Sequence, residues 1–161
     1  MKGKTALLLI VMLLCISFTA VVEAAPVIKS DSSSFDVTKG MYVLKGNVSV
    51  EVGNRLITAG EARVKVTSLE VWGEGGITLT QGEITFTGDS LYVNSMQDTA
   101  FIKGGVTFKR GDINITADEA EFNWKTKQGV FRNNVKIDDG EKHLETNSLV
   151  YNVEQNTYQL Q

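Results

Sequence analysis

Asn47-Val48-Ser49-Val50-Glu51-Val52-Gly53-Asn54-Arg55-Leu56-Ile57-Thr58-Ala59 places Val48, Val50 and Val52 at alternate positions before a Gly-Asn pair, and Ile57 and Ala59 at alternate positions after it. A period of two, rich in β-branched residues, marks a strand with one buried face. Glycine at the first central position of a two-residue loop tolerates the positive φ of a type II′ turn, so the stretch predicts an antiparallel hairpin. A loop at 53–54 sets Val50 opposite Ile57 and Val48 opposite Ala59, on one shared face.

The same pattern recurs without gaps. Gly53, Gly82, Gly111 and Gly140 each stand 29 residues from the last, and their neighbours keep the register. Val48, Ile77, Val106 and Val135 form one apolar column; Val50, Leu79, Phe108 and Ile137 form a second. Ile28, Ile57, Phe86, Ile115 and Leu144 make a third, and Phe35, Val64, Val93, Phe122 and Tyr151 a fourth. A period that spans nearly all of residues 25–161 is the architecture itself. No stretch shows helical periodicity, so the expectation is an all-β meander of long hairpins.

Beyond Gly60 the apolar positions change parity, to Ala62 and Val64. A strand changes parity by a bulge, which predicts one in each return strand, at Asp31, Gly60, Asp89, Asp118 and Asn147. Gly46, Gly75, Gly104 and Asn133 lie opposite, so both strands of a hairpin crease at one level. Long creased strands fold a meander into two facing layers, a β-jelly-roll or "taco" with an apolar interior. The column Val43, Trp72, Phe101 and Val130 is left open by this register. The adjacent Leu44, Ile102 and Phe131 point inward in it, yet the column is uniformly large and apolar; facing out, it would be an exposed stripe.

Lys2 and Lys4 precede an uncharged run from Thr5 to Val22, followed by Glu23-Ala24-Ala25. This fits an export signal at residues 1–24, cleaved after Ala24, ahead of a single domain over 25–161. The run is also long enough to span a bilayer, so an uncleaved inner-membrane anchor is the alternative. Cys15 lies within it, which leaves the remaining chain without disulfide or thiolate chemistry. Loss of Lys2, Lys4 and Glu23 takes the formal charge from -3 to -4, which argues against nucleic acid as a partner.

Pro26-Val27-Ile28-Lys29-Ser30-Asp31, Leu44-Lys45-Gly46-Asn47-Val48, and Ile57-Thr58-Ala59-Gly60 with its copy Ile115-Thr116-Ala117-Asp118 resemble the LptA/OstA-like family. These are the β-jelly-roll modules of lipopolysaccharide transport. The resemblance implies a periplasmic protein whose interior takes acyl chains of lipopolysaccharide. It also implies partners in like transport subunits at the inner and outer membranes, and head-to-tail homo-oligomers joined through open sheet edges. The lipid-binding residues would be the inward ones of the columns above. The interface edges would be Ile28 and Phe35 at one end and Tyr158 and Leu160 at the other. The even, insertion-free repeats leave open whether the chain is the soluble bridge or an anchored subunit.

Catalysis finds little support in the sequence, and no cofactor or metal is expected. His143 is the only histidine, and its repeat partners Leu56, Thr85 and Asn114 fall on the outward face. Asp118-Glu119 and Asp138-Asp139 lie at predicted bends and turns, where such residues cap backbone N–H groups. Lys45, Glu74, Lys103 and Arg132 form a mostly basic column, read as a solvated face rather than a phosphate site. Apolar columns alone do not separate a lipid carrier from a structural or adhesive repeat with a filled core, which is the remaining alternative.

Overall fold

The computed structural model describes residues 26–161; the expected export signal lies outside them. The strands are β1 (Val27–Lys29), β2 (Ser32–Asp36), β3 (Met41–Val52), β4 (Arg55–Lys65), β5 (Glu70–Gln81), β6 (Ile84–Asn94), β7 (Thr99–Arg110), β8 (Ile113–Asn123), β9 (Gln128–Asp138), β10 (His143–Asn152) and β11 (Thr157–Leu160). A single 3-10 turn, Val66–Ser68, joins β4 to β5. All strands belong to one antiparallel sheet in which β3 to β11 lie side by side in chain order. Strands β1 and β2 both pair with β3, as one edge strand interrupted at Ser30-Asp31.

The expected hairpins form. Val50 pairs with Ile57 and Val48 with Ala59. Gly53, Gly82 and Gly111 have φ of 60°, 55° and 54°, while the residue after each stays at negative φ, as a type II′ turn requires. The fourth turn is wider: the ladder ends at Asp138 and His143, and the Asp139 carboxylate accepts the N–H groups of Glu141 at 3.1 Å and Lys142 at 2.8 Å. A Cβ placed on Gly82 would meet nothing within 4 Å, so a substitution there tests backbone strain alone. Gly82→Val should cost about 1 kcal/mol or more, read as a lower urea midpoint at unchanged slope.

The sheet creases across its whole width, but the inserted residue is not where the parity argument put it. Two residues of each outgoing strand oppose one of each return strand. Gly46-Asn47 face Gly60, Gly75-Gly76 face Asp89, Gly104-Gly105 face Asp118, and Asn133-Asn134 face Asn147. All eight outgoing residues have positive φ. Such pairs need glycine or asparagine, and those residue types occupy every one of these positions. The return strand still reverses parity, since Ile57 and Ala59 are buried before the crease and Ala62 and Val64 after it.

Folding at the crease brings the half that carries the Gly53-type turns (the tip layer) onto the half that carries the opposite loops (the base layer). Phe86 of the tip layer lies 5.5 Å from Phe122 and 6.2 Å from Phe131 of the base layer, between ring centroids. Phe108 lies 5.6 Å from Phe131 and 5.2 Å from Tyr151. Tip strands β6 and β7 thus sit over base strands β8 to β10, an offset in keeping with the twist of stacked sheets. The first base strands are correspondingly left uncovered: Phe35 is 51% and Tyr42 42% exposed although both share a face with buried Val64.

Val43, Trp72, Phe101 and Val130 face outward, because Leu44, Ile102 and Phe131 are buried. Cross-strand stacking half-covers the two rings of the column, with Tyr92 5.3 Å from Trp72 and 6.2 Å from Phe101. Arg63 and Glu121 interrupt the same row, so the column is not a continuous apolar stripe.

Candidate functional site: the interior between the layers

Alternation along eight long strands lines the interior from both layers. In the tip layer one cross-strand row runs Ile28, Val50, Ile57, Leu79, Phe86, Phe108, Ile115, Ile137 and Leu144. Val48, Ile77, Val106 and Val135 lie one step closer to the crease, each buried. In the base layer Val64, Val93, Phe122 and Tyr151 are buried, in a row completed by Val71, Ala100 and Gly129. All the expected interior residues face inward; Leu144, on the last tip strand, is only partly buried.

The interior differs from one end to the other. Its C-terminal half is filled: Phe86, Phe108, Phe131 and Tyr151 are 0% exposed, and the Phe86 and Phe108 rings stand 4.8 Å apart. At the N-terminal end a cavity of about 700 Å³ opens between the layers, lined by Pro26, Ile28, Lys29, Ser30, Ser33, Tyr42, Leu44 and Val66. The offset of the layers explains this opening, since no tip strand covers Tyr42 and Val66.

The free lips of the fold, opposite the crease, are joined by polar groups in the C-terminal half. Arg110, at the tip end of β7, donates from Nη1 to Tyr151 Oη at 3.1 Å, to Asn156 Oδ1 at 3.1 Å and to the Val153 carbonyl. The Tyr151 hydroxyl donates in turn to Asn156 Oδ1 at 2.5 Å. Tyr158 donates to Asp139 Oδ2 at 2.9 Å. The N–H groups of Lys142 and Glu141 and this phenol hold the Asp139 carboxyl below its usual range, and the carboxylate raises the pKa of Tyr158. Farther along, the Arg55 guanidinium lies 4.2 Å from the centre of the buried Trp124 ring.

Neither Trp124 nor Arg110 stands out in the sequence. The repeat partners of Trp124 are Val37, Val66, Ser95 and Val153, mostly apolar but with no second ring for a cation to face. The base loops do repeat in backbone, since Gly40, Leu69, Asp98, Lys127 and Asn156 all take positive φ. Their residue types differ too much for the column to be seen.

The edge residues lie at the two ends of the sheet: Ile28 on β1, Phe35 on β2, and Tyr158 and Leu160 on β11. The tip part of β10 continues that last edge, because β11 pairs only with Leu149–Asn152. On the outer surface Glu74 pairs with Arg63 at 2.8 Å, Lys103 with Glu119 at 3.0 Å and Arg132 with Glu121 at 3.4 Å, so most of the basic column is neutralised by the sheet's own carboxylates. His143 is exposed beside Asp138, with 3.2 Å between Nδ1 and Oδ2. Asn134 bonds the Asp118 carboxylate across the crease at 2.7 Å, and Asp138 accepts the Gly140 N–H at 2.9 Å, which gives both carboxylates local structural partners. Among the described residues no group of three or more His, Cys, Asp or Glu could hold a metal ion.

Residues 85–161 match the family model described as LptA/(LptD N-terminal domain) LPS transport protein. The fold is similar to the crystal structure of LptH, the LptA-homologous periplasmic component of the lipopolysaccharide transport device of Pseudomonas aeruginosa. That likeness has a TM-score of 0.57 over 61% of this chain and 75% of that one, at 15% identity. No curated protein matches the sequence. Residues 85–161 thus match the LptA/OstA-like family, and the 29-residue repeat carries the same hairpin and crease back towards β1.

Proposed function

We propose that this chain is a non-enzymatic carrier of lipopolysaccharide, exported by residues 1–24, which takes acyl chains between its two layers and passes them along a bridge of like modules. The observation that carries this reading is an interior apolar on both walls that opens to solvent at one end, beside Tyr42, Leu44 and Val66. Each CH₂ that leaves water contributes about 0.8 kcal/mol, so several acyl chains bind strongly without a dedicated polar site. Both terminal edges leave backbone donors and acceptors free for strand addition by a neighbouring module. The family match of residues 85–161 supports the same role.

A filled structural core is the second reading, and the sealed cluster around Phe108 favours it. Photo-crosslinking in the native envelope separates the two. A photoreactive residue at Tyr42 or Leu44, on the wall of the open cavity, should capture lipopolysaccharide, and one at outward Thr85 or Thr107 should not. Equal or absent capture in a folded protein would sink the carrier reading.

A further inference from the structure

We propose that the Arg110 strap is the gate that admits acyl chains to the C-terminal half of the interior. This rests on the carrier reading and says how that site is controlled. The cavity lies at the N-terminal end, whereas the aromatic rings of the C-terminal half leave no room for a chain. For cargo to pass from one to the other, the layers must part along their free lips. The hinge for that motion is built in, because every outgoing strand crosses the crease through two consecutive residues at positive φ, most of them glycine. What opposes the motion is the set of contacts across the lips.

Arg110 is the centre of that set. Its side chain is only 23% exposed, and one guanidinium nitrogen serves three acceptors that all belong to the base layer: Tyr151, Val153 and Asn156. None of the three is a carboxylate; the nearest, Glu83, is 4.0 Å away from Nε and 85% exposed. A charged donor on neutral acceptors at a half-wet rim holds more strongly than a neutral hydrogen bond, yet water can replace each acceptor when the lips part. An ion pair sealed in the core would not release in this way. Tyr151 couples the rim to the interior, since its hydroxyl takes part in the strap while its ring packs 5.2 Å from Phe108. Opening the strap therefore frees the ring that blocks the filled half.

The test uses the full mature chain and a long-chain fatty acid carrying a diazirine, with labelled positions mapped by mass spectrometry. Arg110→Met keeps the apolar stem and removes the three hydrogen bonds. Tyr151→Phe keeps the ring and removes one of them, and it serves if the first variant proves unstable. In the wild type, labelling should concentrate around Ile28, Tyr42 and Leu44. In Arg110→Met, labelling at Phe131 and residue 151 should rise about tenfold relative to the mouth, the ratio that corresponds to about 1.4 kcal/mol. Tyr151→Phe should shift it in the same direction by less. Labelling at the mouth with an unchanged C-terminal share in folded variants overturns the gate and leaves the carrier reading intact. No labelling of any interior position, in wild type or variants, overturns the carrier reading and the gate with it.

Discussion

Phe108→Ala is expected to destabilise the domain by about 3–5 kcal/mol, the usual range for an aromatic ring deleted from a packed core. The ring is fully buried and within 4.8 Å of Phe86, 5.6 Å of Phe131 and 5.2 Å of Tyr151, centroid to centroid. Its loss removes contacts to both layers at once. The main chain around it is a regular strand fixed by pairing on both sides, to Phe86 and to Ile115, so collapse into the space is limited. Phe101→Ala is the matched control, seven positions earlier on the same strand. That ring faces outward and stacks on Tyr92 at 6.2 Å, an aromatic pair whose loss costs about 1 kcal/mol. Urea melts of the two variants should differ severalfold in their effect, and similar losses would show that the layers do not close on each other as described.

Leu160→Pro is expected to abolish concentration-dependent assembly while leaving the fold in place. Strand β11 covers β10 through alternating hydrogen bonds, and the Gln161 N–H donates to the Ser148 carbonyl at 3.0 Å. Alternation in an antiparallel ladder then directs Gln159 and Thr157 toward β10, and Leu160 and Tyr158 away from it. Proline at 160 removes an outward N–H that an added strand would use, at no cost to the internal ladder. Two different edges meeting head to tail form open chains, so loss of one edge ends growth. Sedimentation over a range of concentrations should show wild-type oligomers and a monomeric variant. A wild type that stays monomeric at high concentration would count against the bridge, and oligomers that survive the proline would move the interface elsewhere. Tyr158 is a poorer probe, because its hydroxyl also bonds Asp139 across the lips.

The repeat decides most of the fold. A strict period of 29 residues, with glycine at each turn and alternating β-branched residues beside it, admits only a meander of equal hairpins, and the pairing of Val50 with Ile57 follows from the turn alone. The level of the crease was equally legible, since a parity change can be dated to one residue. Which strand carries the extra residue was not, because parity reports the net shift between partners. The adjacent pairs Gly46-Asn47, Gly75-Gly76, Gly104-Gly105 and Asn133-Asn134 held the missing signal, as the residue types that tolerate consecutive positive φ.

Sequence by itself determined the strands, the turns, the two inward faces and the family they resemble, because each follows from local periodicity and backbone preference. Only the tertiary structure decided how the faces meet. The offset between the layers sets Arg110 against Tyr151 and Asn156, and Arg55 against Trp124, pairs separated by dozens of residues and by no shared column. It also leaves Tyr42 and Val66 uncovered at one end. The repeat treats its units as equivalent, whereas the cumulative twist of stacked sheets places each unit of one layer over a different unit of the other. Equal hairpins therefore fold into an interior that is sealed at one end and open at the other.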